Sequence, residues 1–291
     1  MMFRRSRGPI SELPFATGAP AIIWQILFFY LPLALIVVSS FLQFSEIGEF
    51  EGVTFSHISL FLSLTYFKVI FSSLGLAVTN SLLCLLIAFP LAYFMAFGGR
   101  KYRNILLFFL IVPFWTNFLL HVYAWFYVLE RHGFINSLLM NLHIISEPIQ
   151  FLNSMPAVFI MMVYYYFPFM VLPIYSSLER FRFNLVEASY DLGASFGTTF
   201  RRVILPLTSR GIRAGFFLVF IPSFGEFVIP ELMGGDKKMF VGTVVSQYIF
   251  GEGTGSLGAA FTLLSGIILI ATTIVLYGVL SYLLRPKVSH G

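Results

Sequence analysis

Six long apolar runs constrain this chain more than any other feature. They are Ala19–Leu42, Val69–Phe97, Ile105–Leu129, Ala157–Leu178, Ala214–Met233 and Leu257–Leu284. Each is long enough, as an α-helix, to cross a hydrocarbon core of about 30 Å. The second, third and sixth contain no Lys, Arg, Asp or Glu. The runs are continuous rather than alternating, which argues against the strands of a barrel. Composition agrees: 58% of the residues are hydrophobic and 11% charged, whereas soluble domains carry about 25% charged residues. So much apolar surface cannot be hidden in one water-facing globule of this size. The expected fold is an all-α membrane protein with six transmembrane helices.

Charge sets the expected topology. Basic residues gather at Arg4, Arg5 and Arg7, at Arg100, Lys101 and Arg103, at Arg180, Arg182, Arg201, Arg202, Arg210 and Arg213, and at Arg285 and Lys287. The alternate connections hold only Lys68, Arg131, Lys237 and Lys238. The positive-inside rule therefore places both termini in the cytoplasm. Arg4, Arg5 and Arg7 ahead of an apolar run resemble a signal peptide, but Ala19–Leu42 is too long for one and lacks a small-x-small cleavage site. It reads as a retained first span. Basic residues in short clusters between apolar runs do not form a nucleic-acid surface. The lone cysteine, Cys84, excludes an internal disulfide. No histidine, cysteine or carboxylate cluster has metal-ligand spacing.

The longest cytoplasmic connection, Glu179 to Arg213, carries local structure signals. Asn184 and Glu187 have capping-box spacing. Leu185, Ala188, Ser189 and Leu192 then share one helical face, and Gly193 is suited to end the helix. Phe196, Phe200, Val203 and Ile204 predict a second short helix, stopped by Pro206. Spacing alone serves two readings equally: a helix pair lying on lipid headgroups, or a surface that docks on another protein.

Within this segment, Glu187-Ala188-Ser189, three residues, Gly193, nine residues and Val203-Ile204-Leu205-Pro206 resemble the EAA loop of binding-protein-dependent importer permeases. The family pattern is E-A-A, three residues, G, nine residues, I-x-L-P. Every spacing matches, with Ser189 and Val203 as conservative departures. The resemblance implies a type I importer permease fold with a cytoplasmic coupling helix. It also implies that Glu187, Ala188, Gly193, Leu205 and Pro206 engage an ATP-binding subunit. No G-x-x-x-x-G-K-[ST] phosphate loop occurs in the chain; Gly98-Gly99-Arg100-Lys101 and Gly234-Gly235-Asp236-Lys237-Lys238 lack its spacing. No cofactor is expected, and ATP would be bound and hydrolysed by a separate subunit.

A rival motif overlaps the loop. Gly193-Ala194-Ser195-Phe196-Gly197 matches the G-x-S-x-G elbow of serine hydrolases. That elbow needs a preceding strand and a histidine base. Here a helix is predicted ahead of it. His57, His132 and His143 are expected across the membrane, His121 lies in the third span, and His290 is near the C-terminus. A passive channel is a further rival, and it would need no coupling loop.

Glu226 is the clearest candidate on a solute pathway, because a carboxylate inside a span is costly and often functional. Pro222 and Gly225 loosen the helix beside it. It serves either as a receiver for a cation or as a buried group bonded to a neighbouring helix. Trp115, Tyr123 and Tyr165 offer aromatic faces to an ammonium group, with Asn117, His121, Trp125, Tyr164 and Tyr166 nearby in sequence. Asp236 and Glu231 stand near the outer end of the fifth span. Two stretches, YYYFPFMVLPIYSSL from Tyr164 to Leu178 and LVFIPSFGEFVIPELMGG from Leu218 to Gly235, resemble the first permease subunits of spermidine/putrescine importers. That likeness runs through most of residues 65–285. It implies a polyamine cargo, a second permease of similar fold, an ATP-binding subunit dimer and an outer solute-binding protein, all at the bacterial inner membrane. Other small solutes share the same framework. The expected division is a tail over 1–18, a first helix and outer loop over 19–64, a permease core over 65–285 with the coupling loop at 184–206, and a tail over 286–291.

Overall fold

The computed structural model describes residues 13–45, 49–99, 101–180, 184–235, 238–251 and 254–285. Arg4, Arg5, Arg7, Arg100, Arg182, Asp236, Lys237, Lys287 and His290, invoked above, lie outside the described residues. In chain order the helices are α1 (Leu13–Gln25), α2 (Leu31–Ser39), α3 (Ser56–Phe61), α4 (Leu64–Tyr93), α5 (Arg103–Ile111), α6 (Phe118–Leu129) and α7 (Phe134–Asn141). Then follow α8 (Met155–Glu179), α9 (Asn184–Asp191), α10 (Phe196–Thr199), α11 (Leu205–Phe224), α12 (Val228–Gly234), α13 (Val241–Phe250) and α14 (Gly255–Leu283). Two short strands, β1 (Leu42–Phe44) and β2 (Phe50–Val53), pair antiparallel, with Leu42 opposite Val53 and Phe44 opposite Phe50. The all-α expectation thus holds for the membrane part, and the hairpin adds a small sheet that hydropathy did not indicate.

Five helical stretches are long and apolar enough to cross a membrane: Gly18–Ser39, Leu64–Gly98, Met155–Glu179, Phe196–Phe224 and Gly255–Leu283. The sixth is a bent pair, Arg103–Trp115 and Phe118–Asn141, turned by 102°. The straight third span expected over Ile105–Leu129 is therefore corrected to a broken one. Pro113 lies in a 3-10 turn at Val112–Trp115, and Asn117 starts α6 afresh by accepting the Leu119 N–H at 2.8 Å. The fifth span also differs from its expected range of Ala214–Met233. It begins earlier, at Phe196, and ends at Phe224.

Pro206 does not stop the helix. A π turn at Phe200–Ile204 runs straight into α11, and the Leu205 N–H bonds the Phe200 carbonyl across that wider turn. Pro206 then falls in the first turn of α11, where its missing N–H costs little because the ladder has already shifted register. The same device precedes Pro32, where a π turn at Ile26–Tyr30 leads into α2.

The chain divides into two compact units. One comprises residues 1–63 and 247–264, the other residues 64–246 and 265–291. In the first, Phe61 and Phe261 are fully buried, with rings tilted by 46° at 5.0 Å, while Phe61 meets Tyr248 edge-on at 5.7 Å. The first span presents Ile22, Trp24, Phe28 and Leu35 outward, the surface that hydrocarbon solvates.

The core of the second unit is the mutual packing of α4, α8 and α11. Apolar burial has little driving force between helices in lipid, so close approach and polar ties must hold them. Both are present. Gly211 and Gly215, four apart on α11, lie against α8. A Cβ at Gly211 would collide with the Pro173 carbonyl and Ser177, and one at Gly215 would sit 2.9 Å from Met170 Sδ. Buried Asn80 of α4 donates to buried Ser223 Oγ of α11 at 2.8 Å. The Val241 N–H donates to Ser73 Oγ, also at 2.8 Å. At one end of the bundle Arg103 pairs with Glu179 at 3.0 Å, and the Tyr175 hydroxyl donates to the same carboxylate oxygen.

Gly211→Ala is expected to cost about 1–3 kcal/mol through overpacking, read as a lower melting temperature of the detergent-solubilised protein. Gly266→Ala, whose added Cβ meets nothing within 4 Å, should leave that temperature unchanged or raise it. Equal behaviour of the two variants would contradict this packing.

Candidate functional site

Two sites stand at opposite ends of one helix. The first surrounds α9. Gly193 adopts φ +77°, a left-handed conformation that strains any residue with a Cβ. The Gly193 N–H bonds the Tyr190 carbonyl at 2.8 Å, and the Ala194 N–H bonds the Ser189 carbonyl at 3.0 Å. These two bonds form a complete Schellman motif, so Gly193 ends the helix as the sequence predicts. Asn184 is the first described residue of this helix, and among the described residues Asn184 and Glu187 make no capping bond with each other.

Val186 is buried and anchors α9, and Ser189 Oγ shares a hydrogen bond of 2.8 Å with Thr199 Oγ1 on α10. The predicted face of Leu185, Ala188, Ser189 and Leu192 lines an open groove of about 630 Å³, whose far wall includes Arg202, Val203 and Pro206. Leu192 is 88% exposed. Glu187 is exposed, with no ion pair or hydrogen bond among the described residues. Leu205 is half-buried at the start of α11 and does not line the groove. Ser195 sits after a helix and a turn, not a strand. Its Oγ accepts the Thr198 N–H at 3.4 Å and so begins α10.

The second site lies where α11 ends. The chain breaks at Gly225–Phe227 and resumes as α12. Glu226 is half-buried at the break. Its Oε1 accepts the Val228 and Ile229 N–H groups at 3.1 and 3.4 Å, and its Oε2 accepts the Tyr166 hydroxyl at 2.8 Å. The start of α13 packs closely on this break: a Cβ at Gly242 would run into the Gly225 carbonyl. Glu226 lines a cavity of about 750 Å³ with Tyr165, Tyr166, Phe118, Phe169, Phe217 and Phe227 among its walls. The rings interlock, with Phe118 to Tyr165 at 4.7 Å and Tyr165 to Tyr166 at 5.3 Å. Such a lining places one carboxylate among aromatic faces, an arrangement suited to an ammonium group with an alkyl chain.

Of the pathway residues expected from sequence, Glu226 and Tyr165 meet in this cavity. Trp115, 81% exposed, and Tyr123 do not line it, because the 102° break turns their stretch of chain away from a straight span. Asp236 lies outside the described residues. Tyr166, Phe118 and Phe169 are the additions. His121 bridges the broken span instead of lining the cavity. Its Nδ1 meets the Tyr164 hydroxyl at 2.8 Å, and its Nε2 meets the Pro113 carbonyl at 2.9 Å and the Thr116 hydroxyl.

Residues 88–290 match the family described as binding-protein-dependent transport system inner membrane component. The chain belongs to that family. The permease is 39% identical over 267 residues to the spermidine/putrescine transport system permease protein PotB of Salmonella typhimurium strain SL1344, covering 91% of this chain and 93% of the relative. Its fold is that of importer permeases. A bacterial ABC transporter that imports the acidic polysaccharide alginate superposes with a TM-score of 0.68 at 17% identity, over 93% of this chain and 95% of the other. A bacterial alginate ABC transporter in complex with an alginate pentasaccharide-bound periplasmic protein gives 0.66 at 16% identity, over 90% and 92%. The permease is thus a membrane transport component and not an enzyme.

Ser195→Ala in the permease removes a helix cap worth about 1 kcal/mol and should leave solute uptake within twofold of the parent. Loss of all activity in that variant would revive the nucleophile reading.

Proposed function

We propose that this permease is one of two transmembrane subunits of an ATP-driven importer of polyamines. The observation that carries the reading is mechanical: a single continuous helix, Phe196–Phe224, joins the α9 groove to the Glu226 cavity. In this reading α9 is the coupling helix. Glu187, Ala188 and Gly193, with Leu205 and Pro206 at the base of α11, form the seat of a separate ATP-binding subunit that supplies the hydrolysis. A capped helix with a buried anchor and an unfilled apolar groove suits a protein partner, because exposed Leu185 and Leu192 gain by burial there. The basic clusters support a reading with this groove, and both termini, on the cytoplasmic side of the inner membrane.

The cavity is the solute passage. Glu226 supplies the charge for an ammonium group, and Tyr165 supplies a ring face together with a hydroxyl that makes no hydrogen bond among the described residues. A flexible chain with ammonium groups separated by methylenes matches one carboxylate in an aromatic lining. The likeness to PotB along nine-tenths of the chain supports the same class of cargo. A solute-binding protein would deliver cargo at the outer face, as the complex of a bacterial alginate transporter with a periplasmic protein illustrates. A second permease of similar fold would complete the passage.

The test is uptake of labelled spermidine into vesicles holding the assembled transporter, with and without ATP and the cognate binding protein. Uptake should require both. Glu187→Lys should lower it at least tenfold while leaving membrane insertion intact, since Glu187 makes no ion pair or hydrogen bond among the described residues. Normal uptake in that variant would contradict the coupling role.

A further inference from the structure

The cavity has a second tyrosine whose position differs in kind from that of Tyr165. Tyr166 is only 5% exposed, and its hydroxyl has one partner, Glu226 Oε2 at 2.8 Å. A buried phenol needs such a partner, yet phenylalanine would fill the same space without one. The carboxylate gains as much from the bond as the phenol does. An ionised carboxylate offers about four acceptor positions. Three are taken here, by Tyr166 and by the Val228 and Ile229 N–H groups. The remaining acceptor capacity stays available to the cavity that Glu226 lines.

We infer that Tyr166 is the positioning residue of the cargo site: its hydroxyl fixes the Glu226 carboxylate so that the free lone pair meets an ammonium group in the cavity. The inference rests on the polyamine-importer reading and deepens it. The division of labour follows from the geometry. Tyr165 lines the cavity with an unengaged hydroxyl and touches the passing solute. Tyr166, on α8, instead ties its helix to the break between α11 and α12. Without that bond the carboxylate would be held from one side only, by the first turn of a seven-residue helix. It would then sample several rotamers, and each solute would meet a disordered charge. Pre-organised charge is worth more than mobile charge because no ordering is left to do when the solute arrives.

The experiment is a double-substitution cycle on the assembled transporter in vesicles. It uses spermidine-loaded binding protein and measures both the maximal uptake rate and the half-saturating concentration. Tyr166→Phe keeps the ring and its packing. Glu226→Gln keeps an acceptor of the same shape. Tyr166→Phe should lower the maximal rate about tenfold and leave half-saturation unchanged, because the binding protein docks elsewhere. Glu226→Gln should lower the rate at least as much. The double variant should match Glu226→Gln within twofold, since Tyr166 acts only through that carboxylate. A maximal rate equal to the parent's in Tyr166→Phe would overturn the inference. So would a double variant slower than Glu226→Gln by a further tenfold, which would make Tyr166 an independent element. Failure of the unaltered transporter to take up spermidine at all is a separate result: it overturns the polyamine reading, and this assignment with it.

Discussion

The close contact of α8 with α11 underlies the rest of the structure. Gly211 and Gly215 let the two backbones approach where any side chain would intrude on Pro173, Ser177 or Met170. That approach packs α11 closely with α4 and α8, and the Asn80–Ser223 hydrogen bond ties its far end to α4. In lipid such bonds have no water to compete with, though each is worth only about 0.6–2 kcal/mol. With the turns that precede it, α11 forms a helical stretch of 29 residues, about 43 Å long.

Each end of that stretch departs from regular α-helix. At its start the π turn at Phe200–Ile204 accommodates Pro206 in the first turn of α11. At its end Gly225 interrupts the helix and Glu226 begins α12 through the Val228 and Ile229 N–H groups. The carboxylate also binds α8 through Tyr166. A shift of α11 relative to α8 would therefore change the geometry of the cavity at Glu226, its one charged wall among the described residues. The broken third span contributes Phe118 to the same cavity, and the His121 contacts with Tyr164 and Pro113 hold the break in place.

What was legible in the sequence follows from what is local. Gly193 as a helix stop was readable because a left-handed residue after an amphipathic turn is a short-range signal. The existence of the spans was readable because lipid demands long apolar helices. Breaks inside apolar runs were not readable in this way. Hydropathy sees Ile105–Leu129 as one run, although Pro113 and Asn117 mark a turn and a fresh cap. It sees Ala214–Met233 as one run, although Gly225 and Glu226 end one helix and start another. Pro206 misled in the opposite direction, because the π turn that accommodates it depends on a register shift with no sequence signature. Tyr166 was one of three consecutive tyrosines. Only the fold shows that Tyr165 and Tyr166 face the Glu226 cavity, and that Tyr166 alone bonds its carboxylate.

The account turns on α9 seating an ATP-hydrolysing partner. The most direct measurement is cross-linking from Leu192→Cys in the assembled transporter. That position is 88% exposed at the groove edge, and the native Cys84 is buried. The account predicts an adduct with the ATP-binding subunit whose yield changes when ATP is bound. An adduct confined to lipid or to the outer solute-binding protein, with none to the ATP-binding subunit, would contradict it.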